Sequence, residues 1–232
     1  MSQLSGDERA RYVQHVFGRI ARRYDLMNRL MTAGQDMRWR KETVRRLQLK
    51  PGEALLDLGA GTGDLGREAL RQQPDIRLVA ADFSLAMLLA GENSGRLPWL
   101  NADALQLPFP DGSFEAVVSG FLMRNVGNLE AALKEQYRVL KPGGRMLILE
   151  TTRLRSGILS PFVRVHMRYV IPWIGGLVSG NREAYRYLPA SSESFLSAEE
   201  LAERMAAAGF CNVDFHRRMF GTIAIHWGEK SL

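Results

Sequence analysis

The chain has 232 residues, 46% of them hydrophobic and 24% charged, which suits one large globular core in water and excludes a fibrous or low-complexity protein. Its single cysteine, Cys211, excludes an internal disulfide and fits a reducing compartment. The net charge of +6 is uneven, with 12 Lys/Arg against 5 Asp/Glu in residues 1–50, 9 against 13 in 51–150 and 10 against 7 in 151–232, so basic flanks enclose an acidic centre.

The opening MSQLSGDERARY has no apolar core after its charges and does not read as a secretory leader. ALLDL is a short apolar run ending at a glycine turn, and GDLGREALRQQ follows with helical character. IRLVAAD (76–82) reads as a second strand, SLAMLLAGE as a second helix, and RLPWLNAD holds a short third strand. FEAVVSG is the fourth strand. NLEAALKEQYRVL is an amphipathic helix with Leu129, Leu133, Tyr137 and Leu140 at helical spacing. KPGG reads as a turn into a fifth strand, RMLILE. YVIPWIGGLVSG is too short and too rich in Gly and Pro to cross a bilayer. SAEELAERMAAAG is a helix opened by a capping box, Ser197 with Glu200 three residues on. NVDFHRR and GTIAIHWG, separated by two residues, should pair as an antiparallel hairpin. The alternation of strand and helix is that of an open, mostly parallel sheet covered on both faces.

LLDLGAGTGDLG, residues 55–66, admits two readings. From Gly61 it spells the G-x-G-x-x-G of dinucleotide enzymes, and from Asp57 it spells D-x-G-x-G-x-G. Both place a glycine turn and a helix N-terminus against an anionic group, pyrophosphate in one case and a methionine carboxylate in the other. The acids separate them. Asp57, two residues before Gly59, can accept from a methionine ammonium, directly or through water. Asp82, ending the second strand, can accept two ribose hydroxyls, and Asp103, after the third, can accept from the adenine 6-amino group. A closing hairpin in place of a second nucleotide-binding half also favours S-adenosyl-L-methionine over NAD. The cofactor-binding candidates are Asp57, Gly59, Gly61, Thr62, Gly63, Asp82, Phe83, Asp103, Ala104 and Ser119. The set looks like a class I S-adenosylmethionine-dependent methyltransferase.

VFGRIARRYDLMNRLMTAGQDMRW, FLMRNV, YRVLKPGGRMLILE, IPWIGGLVSGNREAYRYLP and GTIAIHWG, in that order over nearly the whole chain, resemble the ubiquinone/menaquinone biosynthesis C-methyltransferase family. The resemblance implies a Rossmann-like fold with a seven-stranded, mostly parallel sheet, an antiparallel C-terminal hairpin and a helical N-terminal lid. It implies a lid and substrate region over 1–50 and a methyltransferase domain over 51–232, with 153–190 as an acceptor-side insertion. The implied reaction is methylation of a ring carbon of a prenylated quinol, demethylmenaquinol or its benzoquinol counterpart, and Tyr24, Arg124 and Asn125 match acceptor-site positions. Three departures stand out. Thr32 and Asp36 replace Ser and His ahead of Trp39, Leu122 replaces a glycine, and Thr151-Thr152 replace Phe-Ser after Glu150.

A ring carbon is a weak nucleophile until a neighbouring hydroxyl, of pKa about 10, is ionised. Arg124 could hold the developing phenolate, directly or through water, but stays protonated and cannot be the base. Asn125 could orient the quinol oxygen and Tyr24 relay a hydrogen bond. His15, His166, His216 and His226 have no partners at metal-ligand spacing, so no metal is expected. The departures keep a second acceptor class open, a planar phenol or polyketide-type molecule. RNA is disfavoured, because Ser119-Gly120-Phe121-Leu122 stands where an amino-methylating tetrapeptide would be. The expected location is cytoplasmic, with a peripheral membrane role open. Arg153, Arg155, Arg164, Arg168, Arg182 and Arg186, among Phe162, Tyr169, Trp173, Tyr185 and Tyr187, suit transient contact with anionic lipid. The sequence leaves a homodimer open.

Overall fold

The computed structural model describes residues 6–153, 187 and 191–232. Three helices open the chain: α1 (Gly6–Ile20), α2 (Tyr24–Met31) and α3 (Gln35–Leu47). β1 (Ala54–Leu58), α4 (Asp64–Gln72), β2 (Arg77–Asp82), α5 (Leu85–Glu92), β3 (Trp99–Asn101), β4 (Phe114–Gly120), α6 (Leu129–Val139) and β5 (Leu140–Thr151) follow. The chain ends with α7 (Ala198–Ala207), β6 (Cys211–Arg218) and β7 (Ile223–Glu229).

The strands form one sheet in the order β3-β2-β1-β4-β5-β7-β6. The first five are parallel, and β7 runs antiparallel to β5 and β6. All five residues of β1 are buried, because a central parallel strand is covered on both faces and needs no polar side. Its alternation still sorts side chains. Leu56, Val117 and Ile148 pack on one face, and Leu55, Val118 and Leu147 on the other. Trp39, Val44 and Leu47 tie α3 into the second cluster. Val16, Phe17 and Ile20 of α1 and Met27 of α2 form a third cluster with Met87 of α5. α3 thus packs along one face of the sheet, while α1 and α2 lie against α5, which follows the C-terminal end of β2.

Most expected elements appear, including the hairpin and the capping box, in which Glu200 N–H donates to Ser197 Oγ and Ser197 N–H to Glu200 Oε2. KPGG differs from expectation. It lies inside β5, where pairing with β4 skips from Leu140 to Arg145. The turn is held in the sheet because Gly143 N–H donates to Lys230 O and Lys230 N–H to Gly144 O, which catches the bulge on the end of the chain. The hairpin is joined by a 3-10 turn, Met219–Gly221, whose three residues all have positive φ. Most of the expected lipid-contact segment, with His166, lies outside the described residues. Of its described members, Arg153 lies 3.7 Å from Glu200 and Tyr187 is buried.

His226, on β7, is buried, and its Nε2 lies 2.9 Å from Ala198 O. A carbonyl only accepts, so Nε2 carries a proton. Burial lowers its pKa from 6.5 to about 4. The unfolded chain therefore binds this proton first, and the stability the group contributes is full above pH 6.5 and lost as pH falls toward 4. Between pH 7 and pH 5, urea titrations of wild type should show about 2 kcal/mol more destabilisation than His226→Gln, which keeps a donor for Ala198 and does not titrate. Parallel pH profiles would contradict this.

Candidate active site

The C-terminal ends of the parallel strands surround a cavity of about 420 Å³, the position where open α/β sheets place ligands. Its floor is built from the turns after β1, β2, β3 and β4, and Phe17, Tyr24 and Arg40 close it from the N-terminal helices. Of the expected site residues, Gly59, Gly61, Thr62, Asp82, Phe83, Asp103, Ala104, Tyr24 and Asn125 line it, and Asp57, Gly63, Ser119 and Arg124 stand behind its wall.

The glycine turn is shaped by contact as much as by conformation. Gly59 has φ +68°, and a Cβ there would lie 2.9 Å from Leu122 Cδ1. Gly63 has φ +88°, and a Cβ would lie 2.6 Å from Leu97 and Trp99. The turn is strapped to the end of β2. Gly59 and Ala60 N–H donate to Ala81 O at 2.8 and 3.0 Å, and Gly61 N–H to Asp82 Oδ2 at 2.8 Å. Asp82 Oδ1 accepts from Ser84 N–H at 2.7 Å. A carboxylate has about four lone-pair sites, so each Asp82 oxygen keeps capacity for one more donor. Burial raises the Asp82 pKa, and its two backbone bonds oppose the rise.

Several buried polar atoms around this turn have no hydrogen-bond partner: Asp57 Oδ1, Ser84 Oγ, Ser119 Oγ and Asp64 Oδ2, the last with only the Arg40 guanidinium 3.6 Å away. Asp57 is sealed beneath the turn, with Oδ2 accepting from Gly66 N–H at 2.8 Å, and burial pushes its pKa up to about 7. An unpaired carboxyl poised near neutrality is ready to ionise beside a cation. Asp103 Oδ1 accepts from Leu105 N–H, which fixes the carboxylate at the cavity rim. Acceptors at the ends of β1, β2 and β3 fit a zwitterionic amino-acid group, a ribose and an amino-purine.

The acceptor side is built on a buried ion pair. Arg124 Nη1 bonds Glu150 Oε1, with side-chain exposures of 4% and 0%. Glu150 also accepts from Arg124 N–H and Thr151 N–H, and Arg9 reaches from α1 to the Arg124 carbonyl. Asn125 is held at both ends, with Nδ2 donating to Phe121 O and Oδ1 accepting from Tyr187 Oη, both at 2.8 Å. Burial raises the Tyr24 pKa, against the pull of Arg124 and Arg40. Tyr24 therefore presents a neutral hydroxyl.

Arg40 is a cavity residue that the sequence reading passed over. It pairs with Asp36 at 2.6 Å and lies 3.6 Å from Asp64. Asp36 in turn accepts from Thr32 Oγ1 at 3.0 Å. The two departures at Thr32 and Asp36 are thus partners of each other, and Asp36 reaches the cavity only through Arg40. The i, i+4 spacing of 32, 36 and 40 was the available signal. Thr62 Oγ1 donates to Asp25 Oδ1 at 2.6 Å and fastens α2 to the glycine turn. Leu122 packs on Gly59 and takes space inside the cavity. Replacing Arg124 by Met leaves Glu150 buried without its counter-charge and is expected to cost about 3–5 kcal/mol in denaturant titrations. A loss below about 1 kcal/mol would show that the pair is not structural.

The model of the ubiE/COQ5 methyltransferase family matches residues 3–230. A ubiquinone/menaquinone biosynthesis C-methyltransferase of Desulfotalea psychrophila is 44% identical over 224 residues, covering 94% of this chain and 90% of that protein. A demethylmenaquinone methyltransferase of Thermus thermophilus is 44% identical over 220 residues, covering 93% and 100%. A crystal structure of a SAM-dependent methyltransferase from Thermotoga maritima superposes with a TM-score of 0.64 at 23% identity, covering 94% of this chain and 100% of that one.

Proposed function

The chain belongs to the ubiE/COQ5 methyltransferase family, and from that premise we propose that it methylates a ring carbon of a prenylated quinol, demethylmenaquinol or its benzoquinol counterpart, in respiratory quinone biosynthesis. It is an S-adenosyl-L-methionine-dependent methyltransferase with the class I Rossmann-like fold. The observation that carries the acceptor reading is that one cavity joins the acids at the strand ends to Tyr24, Arg40, Phe121 and Asn125.

The bound cofactor supplies an electrophilic methyl on a sulfonium. In this reading Asp82 accepts the ribose hydroxyls and Asp103 the adenine amino group. Asp57 faces the ammonium through the glycine turn, directly or by way of water. Asn125, already locked by Phe121 O and Tyr187, offers its remaining amide hydrogen to the quinol oxygen. Tyr24 donates to the same oxygen, because a neutral phenol of raised pKa is a donor and a poor base. The ring hydroxyl gives its proton to water, and the hydrogen of the methylated ring carbon leaves as a proton to restore the aromatic ring and re-form the hydroxyl, one net proton passing to solvent; Arg40 and Arg124 supply positive potential while the oxygen is negative, Arg124 from behind the wall. The N-terminal helices exclude water and hold the ring in line with the methyl. Residues 1–50 act as the lid and 153–190 as the acceptor-side insertion.

A lipophilic quinol places the work at a bilayer surface. The protein acts from the cytoplasm as a peripheral visitor to anionic membrane, as a monomer or homodimer, without nucleic acid. Among the described residues no helix is long and apolar enough to cross a membrane. Leu122 favours a second reading. Its side chain narrows the cavity beside Gly59, which suits a smaller planar phenol.

Quinone profiling by mass spectrometry of cells lacking the protein tests the proposal. A demethylated prenylquinone should accumulate, and an unchanged quinone pool would contradict the reading. Asp82→Ala should weaken cofactor binding at least about tenfold by calorimetry, because it removes charge-assisted bonds worth about 1.5–3 kcal/mol each. Unchanged affinity would remove Asp82 from the site. Cofactor affinity should rise with pH up to about 7, where Asp57 ionises, by at most about tenfold per unit. Asp57→Asn should flatten that profile, and a slope surviving in the variant would assign it elsewhere.

A further inference from the structure

Among the described residues, most of the large apolar side chains left exposed gather at one end of the molecule. Leu26, Leu30, Met37, Phe83, Leu85 and Phe220 sit at the end of the sheet that carries the cavity, and Leu89 follows one turn after Leu85 on α5. Leu26 and Leu30 are on α2, which Asp25 fastens to the glycine turn. Met37 lies beside Arg29 of α2, with its Sδ 3.9 Å from Arg29 Nη2. Phe83 and Leu85 follow directly on the C-terminal end of β2. Phe220 is in the β6–β7 turn, and the pairing of Thr151 with Ile223 puts that turn at the same end. Leu232, by contrast, is at the opposite end, against Gly143.

Two of these features run against ordinary folding economy. α2 is apolar on two sides. Tyr24, Met27 and Met31 pack inward, while Leu26 and Leu30, one turn apart, are 51% and 47% exposed. Phe220 is 70% exposed at φ +54°, between Met219 and Gly221, which also have positive φ. A non-glycine residue in that region is strained by about 1–3 kcal/mol, and such strain persists where it serves function. Here it holds an aromatic ring out in water. The N-terminal helices that carry Leu26, Leu30 and Met37 are basic. Residues 1–50 carry 12 Lys/Arg against 5 Asp/Glu. Three of those five acids are engaged inward: Asp25 with Thr62, Asp36 with Arg40, and Glu42 with Arg218. Of the cations, Arg40 is held by Asp36 and Arg46 lies 3.7 Å from Glu42, while Arg19 of α1, Arg29 of α2 and Arg38 of α3 are exposed, Arg29 at 3.9 Å from Asp64.

We propose that this face, with Leu26, Leu30 and Phe220 as its apolar tips and the arginines of α1–α3 as its rim, seats the protein on an anionic lipid bilayer with the cavity mouth toward the membrane. The choice of occupant follows from charge. A second copy would bring the same basic segment against itself, whereas an anionic bilayer complements it and takes the apolar tips into its interface. The inference rests on the quinol reading only for its purpose, which is delivery of a bilayer-held acceptor to the cavity. The seating itself is a property of the face.

The test uses the full-length protein with sedimented vesicles of phosphatidylcholine, with and without phosphatidylglycerol, at low and high salt. Wild type should bind the phosphatidylglycerol vesicles and release as salt rises, because exposed charges are screened beyond about 10 Å at 0.1 M. A triple variant, Leu26→Ser, Leu30→Ser and Phe220→Asn, should bind at least about tenfold more weakly. Asparagine tolerates the positive φ, and none of the three residues lines the cavity. Circular dichroism should match wild type, and methyl transfer to an unprenylated soluble quinol should stay within about twofold, so that lost binding reports the face and not the fold. Equal binding by the variant overturns the proposal, as does equal binding of wild type to neutral and anionic vesicles at low salt. A wild-type dimer that the three substitutions dissociate would also overturn it, by assigning the face to a second copy. Vesicle binding as described, with no quinol methylated, would sink the quinol reading and leave the docking face standing.

Discussion

The site depends on the strap between the glycine turn and the end of β2. Three successive N–H groups of the turn, from Gly59 to Gly61, are consumed by Ala81 O and Asp82 Oδ2. Left unpaired, each would carry a penalty of about 1–3 kcal/mol in a buried turn. Paired, they fix the turn at one height above the sheet. The rest follows from that height. Asp25 can reach Thr62, so α2 is laid across the opening. Leu122 can close on Gly59, which sets the cavity's width. Asp82 is at once a structural clamp and a wall residue, so a substitution there reaches the shape of the turn as well as its ligand.

Charge on the acceptor side is arranged in a second layer. Arg124 and Arg40 are both buried against carboxylates, Glu150 in one case and Asp36 with Asp64 in the other. Buried pairs of this kind contribute little net stability, yet losing one partner is costly. Their use here is a fixed positive potential near Tyr24, whose pKa both arginines pull down against burial. Such preorganised charge needs no rearrangement when a ring oxygen becomes negative.

What could be read from the sequence was what lies close along it. Alternating strands and helices, the glycine turn and acids at strand ends follow from local periodicity and spacing, and they located the cavity. The capping box at Ser197 and the β6–β7 pairing were legible for the same reason. Long-range contacts were not. Nothing in RNV says that Arg124 turns inward to meet Glu150, 26 residues away. Nothing in KPGG says that Lys230 will draw it into β5. The family's expected His position marked Asp36 as a departure bearing on the acceptor class. The i, i+4 chain from Thr32 through Asp36 shows that the cavity side chain is Arg40.

Transfer of a methyl from S-adenosyl-L-methionine to a quinol ring carbon is the step on which the proposed function rests. The direct measurement incubates the purified protein with methyl-labelled cofactor and reduced demethylmenaquinone, then locates the label by mass spectrometry and NMR. The label is expected on a ring carbon, with both ring oxygens unmethylated and the oxidised quinone unreactive. Label on an oxygen, or none on the prenylated quinol while a small planar phenol is methylated, would contradict it.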